Sequence, residues 1–91
     1  MQQSEIIEAV EKKIMAAQVK KYTLWTIGIS NDPEQRKAEH NNPRFWEHWK
    51  ADSETIARNV EKHFIDKGMK GRKGGEGTEG GGDHPAYVYI F

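Results

Sequence analysis

Residues Thr26–His40 read TIGISNDPEQRKAEH, and the fold turns on this stretch. From Tyr22 to Ser30 the chain is rich in aromatic and β-branched residues, which predicts a strand. Alternation along it puts Leu24, Thr26, Gly28 and Ser30 on one side and Trp25, Ile27 and Ile29 on the other. One face is therefore apolar, while the other is small and polar. A glycine in mid-strand weakens the strand and lets another group come close to its backbone. Asn31-Asp32-Pro33 then starts a helix, with Asp32 suited to the N-cap, Pro33 to the first helical position and Gln35 to the capping-box position. That helix is expected to reach about His40, where Asn41-Asn42-Pro43 ends it. It has only Pro33 and Ala38 to bury. A helix so poor in apolar surface is either a solvated connector or part of a site. Arg36 and His40, four positions apart, share one of its faces.

Working outward, an amphipathic helix is expected upstream, capped by Ser4 and running to about Val19. Ile6, Val10 and Ile14 form its apolar stripe, with Glu8, Glu11 and Lys12 on the other side. Downstream, RFWEHWKA (Arg44–Ala51) fits either a strand or a helix. Pro43 before it and the cap Asp52-Ser53 after it favour an extended segment. A third helix follows from about Ser53 to Lys67, with Ile56, Val60 and Phe64 as its buried stripe and Gly68 as the residue that ends it. Gly68–Gly82 reads GMKGRKGGEGTEGGG, which has little to bury and much entropy to lose. The segment 68–84 is therefore expected to be a flexible loop inside a single domain, 1–91. AYVYIF (Ala86–Phe91) closes the chain as a strand.

The expected fold is α+β: a small antiparallel three-stranded sheet (Tyr22–Ser30, Arg44–Ala51, Ala86–Phe91) flanked by three helices. With 91 residues there is room for one domain and not two. Apolar residues make up 35% and mean hydropathy is −0.92, low values explained in part by the glycine-rich run. Fourteen basic residues balance fourteen acidic ones, so overall charge points to no nucleic-acid or membrane partner, although a local basic patch is compatible with it. The absence of cysteine excludes a disulfide framework and a thiolate zinc site and suits a cytoplasmic protein. No stretch approaches the ~20 apolar residues needed to span a bilayer, and acids and lysines break up Met1–Ala16 as a signal peptide. A monomer is expected.

The register Thr26-Ile27-Gly28, Ser30-Asn31-Asp32, Arg36 and His40 resembles the second motif of the GIY-YIG nuclease superfamily over these fifteen residues. In that family a strand ending in Tyr-Ile-Gly is followed by Ser or Thr, often Asn-Asp, then by an arginine on the next helix and in many members a histidine four residues later. Two features depart from it. Thr26 stands where the family has tyrosine, and a helix precedes the strand in place of the first motif. PAYVYIF at the C-terminal end resembles that missing first-motif strand with its leading glycine and isoleucine replaced, which implies a circular permutation with Tyr87 as the family tyrosine.

The resemblance implies action on nucleic acid, through phosphodiester hydrolysis aided by a divalent metal, magnesium or manganese. It assigns Arg36 to phosphate, Glu61 on the third helix to the metal, Tyr87 or Tyr89 to activation of water, His40 to orientation and Gly28 to clearance, each answering charge that develops in the transition state. Glu61 sits at the edge of the buried stripe between Ala57 and Ile65, which suits a partly desolvated ligand for a hard cation. The alternative is a catalytically inactive nucleic-acid-binding or protein-interaction module on the same scaffold, favoured by Thr26 and the balanced charge.

Plainer readings stand beside these. Arg36 and His40 can decorate an exposed helix, Glu61 can pair with Arg58, and Tyr22, Tyr87 and Tyr89 can be ordinary packing residues. Trp46 and Trp49, with Arg44, His48 and Lys50 between and around them, can stack nucleic-acid bases or pack in the core. His40, His48, His63 and His84 show no metal spacing, so no zinc is expected. Lys70, Arg72 and Lys73 in the glycine-rich run lack a Walker pattern.

Overall fold

The computed structural model describes residues 1–17, 21–71 and 86–91. The element order is α1 (Gln3–Ala16), a 3-10 turn (Tyr22–Leu24), β1 (Thr26–Ser30), α2 (Pro33–Glu39), β2 (Glu47–Ala51), α3 (Glu54–Asp66), β3 (Lys70–Gly71) and β4 (Ala86–Ile90). The sheet order is β2-β4-β1-β3. β4 runs antiparallel to both neighbours, pairing Gly28 with Tyr89 and Ser30 with Tyr87 on one side, and His48 with Tyr89 and Lys50 with Tyr87 on the other.

The α+β class with three helices agrees with the sequence reading, but the sheet does not. It has four strands and is mixed, because β3 lies parallel to β1, with Thr26 opposite Lys70. The cause lies at the end of α3. Gly68 takes φ +115°, a left-handed turn that glycine tolerates and that reverses the chain. Met69 is then buried and the Lys70 amide donates to the Trp25 carbonyl at 3.0 Å. The first residues of the expected glycine-rich loop, 68–71, thus form a turn and a short strand, and the rest of it, through residue 84, lies outside the described residues. The strands are also shorter than the pattern suggests. Tyr22–Leu24 forms a 3-10 turn, and only Glu47–Ala51 of the Arg44–Ala51 segment pairs in the sheet.

Local chemistry sets most element ends. The Asp32 side chain accepts from the Gln35 amide at 3.2 Å and Ser53 accepts from the Ile56 amide at 3.2 Å, as N-caps do. The first helix is capped two residues earlier than expected, by Gln2 rather than Ser4, and the Gln2 amide donates to the Glu5 carboxylate at 2.8 Å. It ends at Ala16 rather than near Val19, whose surroundings lie outside the described residues. α2 stops where Asn41 and Asn42 adopt positive φ, a conformation asparagine tolerates better than most residues.

One face of the sheet is the core. Ile27 and Ile29 from β1 and Val88 and Ile90 from β4 pack with Ile6, Val10 and Ile14 of α1 and Ala57, Val60 and Phe64 of α3. This is the apolar side read from the alternation of β1, and α1 buries its predicted stripe against it, whereas on α3 Val60 and Phe64 are buried together with Ala57 and the expected Ile56 is only partly buried. Trp49 of β2 packs against the same core. The seam between the two helices is polar at its surface, where Asn59 donates to Gln3 at 3.2 Å and Lys67 pairs with Glu11 at 3.4 Å.

Candidate functional site

On the second face of the sheet, alternation places Gly28 and Ser30 of β1, Tyr87 and Tyr89 of β4 and His48 and Lys50 of β2. Tyr89 lies across Gly28. A Cβ added at Gly28 would run into the phenol hydroxyl and ring, so the close approach that glycine permits is used by this one side chain. The ring is buried, 1% exposed. Trp46, just before β2, lies parallel to it at 4.6 Å between centroids and 13° between planes, and also stacks on Phe91 at 5.6 Å. Stacking at these distances adds to the burial of the rings themselves.

The polar atoms of this aromatic layer are fixed too. Trp46 Nε1 donates to His48 Nδ1 at 3.0 Å. An indole N–H only donates, so Nδ1 of His48 accepts and its proton sits on Nε2. His48 meets Tyr87 edge-on, with ring centroids 5.8 Å apart. The C-terminal end of α2 closes the other side. His40 packs on Phe91 at 4.6 Å, and its Nε2 lies 3.5 Å from the Tyr89 hydroxyl, at the long limit of a hydrogen bond. Arg36 is one helical turn earlier, where its guanidinium meets Glu39 at 3.1 Å. Below it, the Ser30 hydroxyl accepts from the Asp32 amide at 2.9 Å and holds the strand-to-helix turn.

Of the residues singled out from the sequence, His40 is brought into contact with a tyrosine, and that tyrosine is Tyr89. Tyr87 occupies the same face two residues along, over Ser30 and beside His48. Tyr22 is partly buried and packs against the core, with its ring 6.1 Å from Phe64. Glu61 stands apart. It is on α3, the helix that packs on the apolar face through Ala57, Val60 and Phe64. Burial pushes its carboxyl above the usual glutamate range, and the nearby Arg58 guanidinium opposes that rise. Among the described residues no group of three His, Asp or Glu side chains comes together to hold a metal ion. Glu61 could still offer a single carboxylate, enough for a magnesium ion that keeps its waters and takes substrate phosphate as a further ligand.

Sequence reasoning did not foresee Trp46 as the cover of Tyr89 and Phe91, nor the Trp46–His48 hydrogen bond. The alternation Trp46, His48, Lys50 was a signal for a shared face, but nothing in it gave the ring partners on β4. Comparison with protein-family models, with curated proteins and with solved structures finds no match.

Proposed function

We propose that the chain is a GIY-YIG-like domain that binds nucleic acid on the aromatic face of its sheet. The observation that carries this reading is the Tyr89 phenol, seated on Gly28 and facing His40, with Arg36 one turn away on the same helix. Phosphate recognition requires a cation in a fixed place, and a guanidinium anchored beside a sheet meets that need. Half-buried aromatic rings with histidine and lysine among them suit contact with bases and backbone together. Net charge gives no long-range attraction, so binding depends on this local set and weakens as salt is raised.

Binding without cleavage is the form the geometry favours. Glu61, the carboxylate that the resemblance assigns to a metal, projects from the helix that covers the opposite face. Hydrolysis is the second reading, and the His40–Tyr89 contact is what favours it. An imidazole Nε2 that accepts the phenolic proton makes the Tyr89 oxygen more basic, and that oxygen acts on water only where the cover of Trp46 opens to admit it; such contacts often tighten once substrate is bound. Magnesium or manganese, if used, would add a positive charge beside the phosphate, and Glu61 is the residue that would supply a carboxylate to it.

The test is direct. Fluorescently labelled single-stranded, duplex and branched oligonucleotides are titrated with the full chain at low salt, with Arg36→Ala alongside. Binding that falls about tenfold or more in Arg36→Ala, with an unchanged melting temperature, is expected. No binding of any of the oligonucleotides at low salt ends the proposal. Incubation with magnesium or manganese then separates the two forms. Cleavage by the wild type that is lost in Tyr89→Phe, Arg36→Ala and Glu61→Gln establishes hydrolysis, whereas binding with no cleavage leaves the binding module.

A further inference from the structure

Beyond Phe91 the aromatic face ends in a shallow cleft of about 180 Å³, lined by Leu24, Trp25, Phe45 and Phe91. Leu24 and Phe45 are 60% and 64% exposed, although both are large and apolar. Adjoining apolar side chains left in water beside a pocket mark a contact surface more often than an accident of folding. The walls differ in rigidity. Phe91 is tied to β1 by two backbone hydrogen bonds, its amide donating to the Thr26 carbonyl at 3.0 Å and the Thr26 amide to its carbonyl at 2.8 Å. Phe45 comes from the segment between α2 and β2 and carries a cation at its ring, with the Arg44 guanidinium carbon 5.8 Å from the centroid.

Size and charge together select the occupant. The cleft's volume is about 180 Å³. That is below the roughly 300 Å³ at which drug-sized pockets begin, and it suits one flat ring system. An apolar side chain of a peptide would satisfy the walls but would make no use of the arginine. We propose that the cleft takes one unpaired nucleobase of a single-stranded nucleic acid, stacked against Phe45 and Phe91, with Arg44 meeting the adjoining phosphate. Phe91 is shared with the His40 and Trp46 contacts, so a strand seated here continues onto the half-buried rings of His40 and Trp46, one helical turn from Arg36. This inference rests on the nucleic-acid reading above and deepens it by naming the strandedness of the ligand and the base-binding residues.

The experiment measures affinity of the full chain for a short labelled oligothymidylate and for an abasic chain with the same backbone and length. Wild type, Phe45→Ala and Arg36→Ala are compared at one low salt concentration. The expected result is a preference of about tenfold for the chain with bases, in line with the stacking of one base on an aromatic ring. Phe45→Ala abolishes that preference and leaves abasic binding unchanged, while Arg36→Ala weakens both. Leu24→Ser, on the same wall, gives a second reading should Phe45→Ala fold poorly. Equal binding of the two chains by the wild type, or a preference that survives both cleft variants, overturns the cleft and leaves the broader reading intact. Binding of neither chain overturns both. Sedimentation of wild type and Phe45→Ala covers the remaining occupant: a dimer lost in the variant, with base preference unaltered, makes the cleft a contact between two copies and ends the proposal.

Discussion

The two faces of the sheet are built from the same strands, residue by residue in alternation, yet they follow different chemistry. Ile27, Ile29, Val88 and Ile90 point to α1 and α3 and meet hydrocarbon. Gly28, Ser30, Tyr87 and Tyr89, their immediate neighbours, meet histidine, tryptophan and the polar end of α2. The first face gains stability in proportion to the apolar area it removes from water. The second includes rings that are only half-buried and polar atoms held at set distances, such as the indole nitrogen of Trp46 and the imidazole of His40. Most of the buried aliphatic surface lies on one side and most of the side-chain polar contacts of the sheet on the other, so substitutions on the two sides should differ in what they change.

The largest contrast comes from Phe64. It is fully buried on α3 against the apolar face, and Phe64→Ala is expected to lower stability by about 3–5 kcal/mol. Domains of this kind have only ~5–15 kcal/mol in all, so urea denaturation should show a large loss or outright unfolding. A loss under 1 kcal/mol would mean that the apolar face is not the seat of stability.

Gly28→Ala probes the second face from within the same strand. The new methyl group collides with the Tyr89 ring and hydroxyl, and overpacking of this type costs about 1–3 kcal/mol. Because the strain runs through one neighbour, Tyr89→Ala in the Gly28→Ala background should cost less than Tyr89→Ala alone, as a thermodynamic cycle would reveal. Strict additivity would place the two residues out of contact. Nucleic-acid binding, where present, should fall in Gly28→Ala by more than its stability loss explains.

Ser53→Ala removes the hydroxyl that accepts from the Ile56 amide at the start of α3 and should cost about 1 kcal/mol, with no effect on binding. A binding defect in this variant would tie the helix-covered side to function and blur the contrast.

Glu61 gives the smallest effect, and it has the opposite sign. Burial raises its carboxyl above the usual glutamate range while Arg58 resists, so the folded state holds the proton more firmly than the unfolded state does. The stability associated with the protonated acid is present at low pH and is lost as the pH climbs from the unfolded value through the folded one. Glu61→Gln should therefore melt slightly above wild type at neutral pH, with the gap closing in acid. Adding magnesium or manganese sharpens the point. If Glu61 is a ligand, the ion raises the melting temperature of the wild type and not of Glu61→Gln.

Much of this molecule was legible from neighbours in sequence. Asp32-Pro33 and Ser53 announced helix starts, Gly68 a helix end, and the alternation from Trp25 to Ser30 an apolar and a polar side, because caps, left-handed turns and strand periodicity act within a few residues. The polar second helix also stood out, and its His40 does reach the sheet. Other features had no local signature. β3 is two residues long, too short for any period, and exists because Gly68 returns the chain alongside Trp25. That Tyr89 and not Tyr87 sits on Gly28 depends on the pairing register of β4, since a slip of two residues would exchange them and a slip of one would turn both to the other face.

The sequence by itself determined the helices, their buried stripes and the two-sided character of β1, since each follows from interactions that span one or two turns of chain. Tertiary structure alone decided the strand order, the parallel fourth strand, the seat of Tyr89 on Gly28 and the cover that Trp46 places over both Tyr89 and Phe91. Those contacts join segments far apart in the chain, and they form only where the burial of one face of the sheet brings their backbones together and fixes the register between them.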